Sequence, residues 1–175
     1  DMELSVEMAF RTLQSGLNTG KIVVRVPERH LKLSDYHAVT GGTAGLGLMT
    51  ARWLAQGGAG AVLLASRSGV VTRCVDSELL HESGAATLML KCDAAEVSDI
   101  CRLVAWARRP PLEGLWHAAG VLADSVLSGQ SGEALARVYA PKAHGVRTLQ
   151  RASSFAPLRA CTLFSSVVAL LGGAG

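Results

Sequence analysis

The 175-residue chain is long enough to bury one sizeable core, and its composition, 49% hydrophobic and 18% charged, is that of an ordinary water-soluble domain. The net charge of +3 is too small, and the basic residues are too scattered, to indicate a nucleic-acid-binding surface. The apolar stretches are too short to span a bilayer, so a membrane protein is not expected either.

The four cysteines are interpreted as reduced thiols. Cys74, Cys92, Cys101 and Cys161 match neither a zinc-site spacing nor a Cys-x-x-Cys redox pair. We expect them to be buried in a cytoplasmic protein, where disulfides are rare. The first ten residues are too acidic for a secretory signal peptide. Because the chain begins with Asp1 rather than methionine, it is expected to be a piece of a longer protein.

The first region of the chain predicts a helix, a strand and a linker. Residues 5–26 begin with apolar side chains at helical spacing, and this pattern ends at Gly16. Residues 21–26 are rich in β-branched side chains and predict a short strand. Residues 27–35 are polar, contain a proline and are interpreted as a linker.

From residue 36 onward, apolar strands alternate with helical patterns. Strands are predicted over residues 36–40, 61–65, 87–91, 115–118 and 160–165. Helices are predicted from residue 46 to the glycines at 57 and 58, and over residues 76–83, 97–106 and 132–152, the last broken or kinked at Pro141. Repeated βα units with short loops indicate an α/β fold, a Rossmann-like doubly wound parallel sheet.

A glycine-rich loop joins the first predicted strand to the first predicted helix. Phosphates need free backbone N–H donors, which a helix N-terminus supplies together with a positive dipole end. The alternative, a glycine-rich turn without a ligand, is disfavoured by the strand–loop–helix context. The loop predicts dinucleotide binding by Thr40, Gly41, Gly42, Thr43, Ala44, Gly45, Leu46 and Gly47.

Three of these glycines have separate expected roles. Gly41 permits the tight turn, Gly45 lets the backbone approach the diphosphate, and Gly47 allows close packing of helix and strand.

The choice of cofactor is predicted from the end of the second strand. An NAD site would show an acidic residue about 20 residues beyond the loop, but the sequence there has Ser66 and Arg67. Arg67 would attract a 2′-phosphate and Ser66 would hydrogen-bond to it, so NADPH is predicted. The alternative is that Arg67 is a solvent-exposed loop residue with no part in cofactor binding. Cys92 and Asp93 close the third strand and are both expected in the cofactor site, where Asp93 either meets the adenine edge or acts as a turn or N-cap residue.

Several ordered motifs resemble those of one family. The Thr-Gly-x-x-x-Gly-x-Gly spacing is similar to that of short-chain dehydrogenases/reductases, and the sequence His-Ala-Ala-Gly at 117–120 resembles ketoreductase domains of polyketide and fatty acid synthases. Further segments that agree with that subfamily are Ala-Arg-Trp-Leu at 51–54, Ser-Arg-Ser-Gly at 66–69, Pro-Lys-Ala-His-Gly at 141–145 and Phe-Ser-Ser at 164–166. The resemblance covers residues 36–175 and adds Ala118, Ala119 and Gly120 to the expected cofactor site.

This resemblance implies a reaction and a set of roles. In the family, the β-keto group of an acyl chain on the phosphopantetheine arm of an acyl carrier protein is reduced with NADPH. A serine, matched by Ser166, hydrogen-bonds the ketone oxygen, and a lysine, matched by Lys142, lowers the pKa of the proton-donating tyrosine. The alternative is that Lys142 is an exposed lysine on a helix surface with no part in catalysis. His117 is expected to be structural, holding the loop under the cofactor.

The family spacing places the catalytic tyrosine a few residues past Gly175, and neither Tyr36 nor Tyr139 matches it. The domain is therefore expected to be C-terminally truncated and inactive alone. Asp124 matches a Leu-x-Asp segment associated with D-configured 3-hydroxy products, or it caps the following helix.

Residues 1–26 resemble the C-terminal end of an enoylreductase domain. The alternative is that they form a helix–strand linker unrelated to any such domain. The expected partners are an acyl carrier protein and neighbouring enoylreductase and dehydratase domains. Two other functions stay open: a stand-alone short-chain reductase acting on a free small molecule, and a non-catalytic, structural ketoreductase-like subdomain.

Overall fold

A computed structural model describes residues 2–16, 36–71, 78, 80–82, 84–106 and 111–166. The chain divides into two compact units, Asp1–His30 and Leu31–Gly175. The first unit contains helix α1, Met2–Gln14, which is followed by Gly16 at a φ of +66°. This agrees with the helix end predicted from the sequence. The predicted strand over 21–26 and the linker over 27–35 lie outside the described residues.

The second unit is built on a five-stranded parallel sheet, as predicted. Its strands are β1 (Tyr36–Thr40), β2 (Ala61–Ser66), β3 (Ala86–Lys91), β4 (Leu112–His117) and β5 (Ala160–Leu163). Their spatial order is β3-β2-β1-β4-β5, and every neighbouring pair is parallel. Strand β4 begins three residues before the sequence pattern indicates, because Leu112 pairs with Tyr36 ahead of an irregularity in the register.

Helices cover both faces of this sheet, so the fold is doubly wound. Helix α2 (Gly45–Gln56) packs on one face, where Val39, Val62 and Leu64 point. Helix α3 (Val97–Trp106) packs on the other face with Ala38, Leu63 and Leu115. Successive residues of a strand point to opposite faces, which explains why β2 is apolar from Ala61 to Ala65.

Helix α2 buries fewer of its apolar side chains than the sequence pattern predicts. Leu54 is buried, but Leu46, Met49 and Trp53 are more than half exposed. The ring of Trp53 instead meets the edge of Trp116, with 5.8 Å between the ring centroids. In the region predicted as a helix over 76–83, residues 78 and 80–82 are helical and the others lie outside the described part.

The long helical pattern near the C-terminal end is interrupted at its proline, as predicted. It consists of α4 (Gly132–Tyr139), a π-helical turn (Ala140–His144) and α5 (Gly145–Ala152). A proline has no N–H to offer the carbonyl four residues earlier, and its ring crowds that carbonyl. The helix widens by one residue at Pro141 and then continues. A short 3₁₀ turn, Leu127–Gly129, precedes α4.

Candidate functional site

The candidate site lies where strands β1 and β4 are neighbours. The strand order runs outward from β1 in both directions, so the loops after β1 and β4 leave the sheet toward opposite faces and open a crevice between them. In open α/β sheets, ligands bind in this crevice at the carboxyl ends of the strands. The predicted site residue Gly41 directly follows β1, Ala119 lies two residues after β4, and the two lie side by side.

The loop after β1 has the backbone geometry that its glycines predict. Gly41 has a φ of +70° and Gly45 a φ of +52°, in the left-handed region that disfavours other residues. A Cβ on Gly45 would meet nothing within 4 Å, so the space in front of this residue is open. A Cβ on Gly47 would overlap the carbonyl oxygen of Gly41, which fixes the helix start against the loop.

The N-terminus of helix α2 lacks a side-chain cap. Its N-cap residue is Ala44, which carries no polar side-chain atom, whereas Ser131 caps α4 by accepting a hydrogen bond from the Ala134 amide at 3.1 Å. The first amides of a helix need partners outside the helix. The open space at Gly45 therefore adjoins N–H groups that fit an anionic group such as a diphosphate. Thr43 is buried behind this loop, and Leu46 is exposed.

The end of β2 carries the two residues predicted to select the cofactor. Ser66 Oγ accepts a hydrogen bond from the Gly69 amide at 3.0 Å, which closes the turn that follows the strand. Arg67 is exposed in that turn. Gly42 donates to the carbonyl of Ala65 at 3.2 Å, so the turn after β2 lies beside the glycine loop.

At the end of β3, Asp93 is a turn residue. Its Oδ1 accepts a hydrogen bond from the Ala95 amide at 2.9 Å, and its own amide donates to Asp99 Oδ2 at 2.8 Å. Asp99 also pairs with Arg102 at 2.8 Å, and Arg102 donates to the carbonyl of Lys91 at 3.0 Å. These contacts of Asp99 and Arg102 were not predicted from the sequence, although an Asp and an Arg one helical turn apart are a recognisable signal.

The cysteine prediction is right for one residue and wrong for two. Cys92 is 3% exposed in the core, and burial raises the pKa of its thiol to about 11. Its side chain therefore lies away from solvent, and its amide donates to the carbonyl of Ser66 at 2.8 Å. Cys101 and Cys161 are free thiols but exposed, because α3 turns Cys101 outward and β5 is the outermost described strand. Cys74 lies outside the described residues.

His117, the last residue of β4, connects three segments of the site. It is 2% exposed, with Nδ1 at 2.7 Å from Thr40 Oγ1 and Nε2 at 3.0 Å from the Pro141 carbonyl oxygen. Burial lowers the pKa of this imidazole, and the hydrogen bond to Pro141 opposes the shift. The ring is therefore neutral near pH 7, with Nε2–H donating to Pro141 and Nδ1 accepting from Thr40.

Lys142 lies beside the segment that follows β4. A Cβ on Gly120 would come within 3.1 Å of Lys142 Cε and 4.0 Å of its Nζ. The backbone of Ala118 and Ala119 packs on Gly41, so the lysine and the glycine loop flank one short stretch of chain. Ser166 follows β5 by three residues and is exposed at the same carboxyl edge of the sheet.

Asp124 lies in an exposed loop between β4 and the 3₁₀ turn. Gln130 holds this loop, since its Nε2 donates to the carbonyls of Ala123 and Ser125, each at 3.3 Å. The expectation that Asp124 caps the following α-helix is wrong, because Ser131 occupies the N-cap of α4. Gln130 was not identified from the sequence, and no spacing rule would have singled it out.

The residues that the structure describes lack two other kinds of feature. No group of three or more His, Cys, Asp or Glu side chains there is arranged to hold a metal ion. No helix in those ranges has both the length and the apolar composition of a bilayer-spanning segment.

Comparison with known proteins agrees with this geometry. A family model described as a KR domain matches residues 36–175. A mycocerosic acid synthase-like polyketide synthase from Mycobacterium tuberculosis is 33% identical over 183 residues, which is 95% of this chain and 9% of that protein. Polyketide synthase GfsB from Streptomyces halstedii is 42% identical over 146 residues, which is 82% of this chain and 3% of that protein.

The fold is similar to solved ketoreductase structures. An A1-type ketoreductase superposes with a TM-score of 0.75 and 31% identity, covering 84% of this chain and 32% of the other. The chain thus spans about a third of that structure and less than a tenth of the curated relatives named above.

Proposed function

The chain belongs to the KR domain family, the ketoreductases of polyketide synthases, and from this premise we propose that it contributes the nucleotide-binding part of a β-ketoacyl reductase. The substrate is the β-keto group of an acyl chain carried on the phosphopantetheine arm of an acyl carrier protein, and the product is a 3-hydroxyacyl group. NADPH, when bound, supplies the hydride. The observation that carries the proposal is the open, uncapped helix start at Gly45, in a loop whose Gly41 packs against the backbone of Ala118 and Ala119 after β4.

Binding of the dinucleotide is assigned to main-chain groups first. The amides of the first turn of α2 and its positive dipole end hold the diphosphate at Gly45. Arg67 and Ser66, at the end of β2, hold the 2′-phosphate, which favours NADPH over NADH. Asp93 contributes at the adenine end through the turn that it closes. Residues 118–120 are assigned to the same cofactor site, because the backbone of Ala118 and Ala119 packs against Gly41 and Gly120 lies beside Lys142.

The chemistry requires stabilisation of negative charge on the ketone oxygen. Ser166 is assigned the hydrogen bond to this oxygen, because a donor placed in advance lowers the barrier to alkoxide formation. Lys142 supplies a positive charge beside Gly120, which favours proton transfer from the family's tyrosine. Tyr36 is not suited to that transfer, because it lies at the amino end of β1, about 13 Å along the strand from the site at the carboxyl end.

Two features support neighbouring synthase domains as partners. The KR model begins at residue 36, whereas the alignment with the mycobacterial synthase covers 95% of the chain and so extends into the preceding residues. We assign those residues to an enoylreductase domain, with a dehydratase and an acyl carrier protein in the same assembly. We also propose a cytoplasmic location, where NADPH is supplied, and the free thiols of the described cysteines support this proposal.

The test uses the natural protein, a simple β-ketoacyl thioester and NADPH, with mass spectrometry of the product. We expect a 3-hydroxyacyl thioester that carries one deuterium when the nucleotide is deuterated at its transferable position. Ser166→Ala should lower kcat/KM roughly a hundredfold or more without weakening NADPH binding. Ser165→Ala, the matched control one residue earlier, should leave both unchanged. Absence of any reduction by the natural protein would contradict the proposal.

A further inference from the structure

His117 lies between the two parts of the proposed site. It is the last residue of β4 and pairs with Thr40 on β1 and with Leu163 on β5. Its backbone carbonyl accepts from the Phe164 amide at 3.0 Å, so the strand segment that leads toward Ser166 is attached to it as well. At 2% exposure the side chain has no access to solvent or to a substrate.

The two ring nitrogens of His117 bind segments that are far apart in sequence. Nδ1 accepts from Thr40, the residue that opens the glycine loop, 77 positions earlier. Nε2 donates to the carbonyl of Pro141, 24 positions later, in the residue directly before Lys142. A single neutral tautomer satisfies both bonds at once.

The π-helical turn explains why the Pro141 carbonyl can accept this bond. In a regular α-helix the amide of Gly145 would donate to the carbonyl four residues earlier, at Pro141. In this turn the Gly145 amide donates to Ala140 and Lys142 instead. The widened turn therefore frees the Pro141 oxygen for a hydrogen bond from outside the helix, and His117 makes that bond.

We infer that His117 is a positioning residue that sets the placement of Lys142 relative to the nucleotide loop. The inference rests on the proposed function, because it concerns the lysine and the loop of that site. The ring acts as a spacer of fixed length: one nitrogen holds Thr40 and the other holds the turn that carries Lys142. If His117 only filled space in the core, neither hydrogen bond would be needed, and an apolar aromatic ring at this position would serve equally well.

Substitution of His117 by glutamine or asparagine distinguishes the hydrogen bond to Thr40 from the hydrogen bond to Pro141. The Gln amide reaches as far as Nε2, and the Asn amide reaches only as far as Nδ1. His117→Gln should keep the bond to Pro141 and lose the one to Thr40. It should therefore raise the Kd for NADPH by roughly tenfold while kcat stays within about threefold, since misplacement of a binding group by a fraction of an ångström has effects of this order.

His117→Asn should give the opposite result. It keeps the bond to Thr40 and releases the turn, so kcat falls by roughly tenfold to a hundredfold while the Kd for NADPH is retained. His117→Phe should show both losses, and Thr40→Val should reproduce the Kd increase of His117→Gln. Equal losses in the Gln and Asn variants, or wild-type values in both, would overturn the inference.

A measurement on the unsubstituted protein keeps the test independent of folding in the variants. Nitrogen NMR of the histidine side chains should show His117 as the Nε2–H tautomer at neutral pH. The Nδ1–H tautomer would overturn the inference, because Nε2 would then have no hydrogen for Pro141. If the natural protein shows the expected tautomer but reduces no β-ketoacyl thioester, the proposed function fails while the hydrogen-bonded link itself stands.

Discussion

Gly41 packs against Ala119 so closely that a Cβ on Gly41 would lie 2.8 Å from the Ala119 nitrogen. The amide of Gly41 also donates to the carbonyl of Ala65 at 2.7 Å. This one glycine therefore joins the carboxyl ends of β1, β2 and β4. The consequence is that the loop conformation is fixed by the fold before any nucleotide binds, so little ordering is required at the moment of binding.

The two glycines with positive φ in this loop should behave differently when replaced by alanine. Gly41→Ala adds a methyl group against backbone atoms and should lower the free energy of unfolding by roughly 2–4 kcal/mol. Gly45→Ala faces open space and should cost only about 1–2 kcal/mol, yet weaken NADPH binding because the methyl group occupies the approach to the diphosphate. Urea unfolding and nucleotide titration measure the two effects. A larger stability loss for Gly45→Ala would contradict this assignment.

Strand and helix types could be predicted because their signals are local. The run from Ala61 to Ala65 is apolar without a break, as expected for a parallel strand covered on both faces. Helix α3 matches its predicted bounds, Val97–Trp106, because its amphipathic period is strong. The start of β4 at Leu112 was missed since pairing with Tyr36 extends it beyond the local signal.

The site was predictable where main-chain geometry defines it and not where long-range contacts do. The spacing of the glycines after β1 predicts the tight turn in which Gly41 and Gly45 have positive φ values. The bond from His117 to Pro141 depends on a one-residue widening of a helix, and no spacing rule gives the position of the freed carbonyl. The exposure of Cys161 likewise depends on the place of β5 in the strand order.

Arg67 should decide between NADPH and NADH. Arg67→Asp places a carboxylate where the 2′-phosphate is expected, and we predict a rise of roughly 10–100-fold in the Kd for NADPH, with NADH bound equally well or better. Tryptophan fluorescence titration with both nucleotides measures the preference. The charge-matched control is Arg147→Asp on helix α5, which should leave both Kd values unchanged. Equal affinities of the natural protein for the two nucleotides would remove the role given to Arg67.

The stability of the fold should decrease in mild acid because of His117. Burial lowers the pKa of the folded state below the ordinary value of 6.5, so the unfolded chain takes up a proton that the folded chain resists. Stability from this residue is complete above pH 6.5 and is lost as the pH falls from there through the folded-state pKa. The slope is at most about 1.4 kcal/mol per pH unit.

Urea unfolding at several pH values tests this. His117→Gln should lose that part of the slope, whereas the exposed His144→Gln should keep it. An unchanged slope in His117→Gln would show that another group is responsible.

The described cysteines should differ sharply in reactivity. Burial, together with the nearby Asp99 and Asp93, raises the pKa of Cys92 to about 11 although Arg102 opposes the shift, so only a very small fraction of this thiol is ionised at pH 7. Iodoacetamide should label the exposed Cys101 in the native protein and reach Cys92 only after denaturation. Peptide mass spectrometry with and without urea distinguishes these outcomes. Labelling of native Cys92 at the rate of Cys101 would contradict its burial.

Gly145 should be the least replaceable glycine of the long helical segment. It begins α5, and a Cβ there would overlap the carbonyl oxygen of Ala94, in the loop after β3. Alanine normally stabilises a helix relative to glycine by about 1 kcal/mol. The clash outweighs this gain, because a backbone carbonyl cannot rotate away as a side chain can, and Gly145→Ala should lower the free energy of unfolding by roughly 1–3 kcal/mol.

Gly132 provides the matched control for this prediction. It begins α4, and a Cβ there would meet nothing within 4 Å. Gly132→Ala should therefore be neutral or stabilise the fold by up to about 1 kcal/mol, as measured by urea unfolding. Moving α5 away from Ala94 should also displace the adjoining π-helical turn and Lys142, so Gly145→Ala should lower kcat more than Gly132→Ala does. Equal stabilisation by the two alanines would mean that α5 does not depend on this close contact.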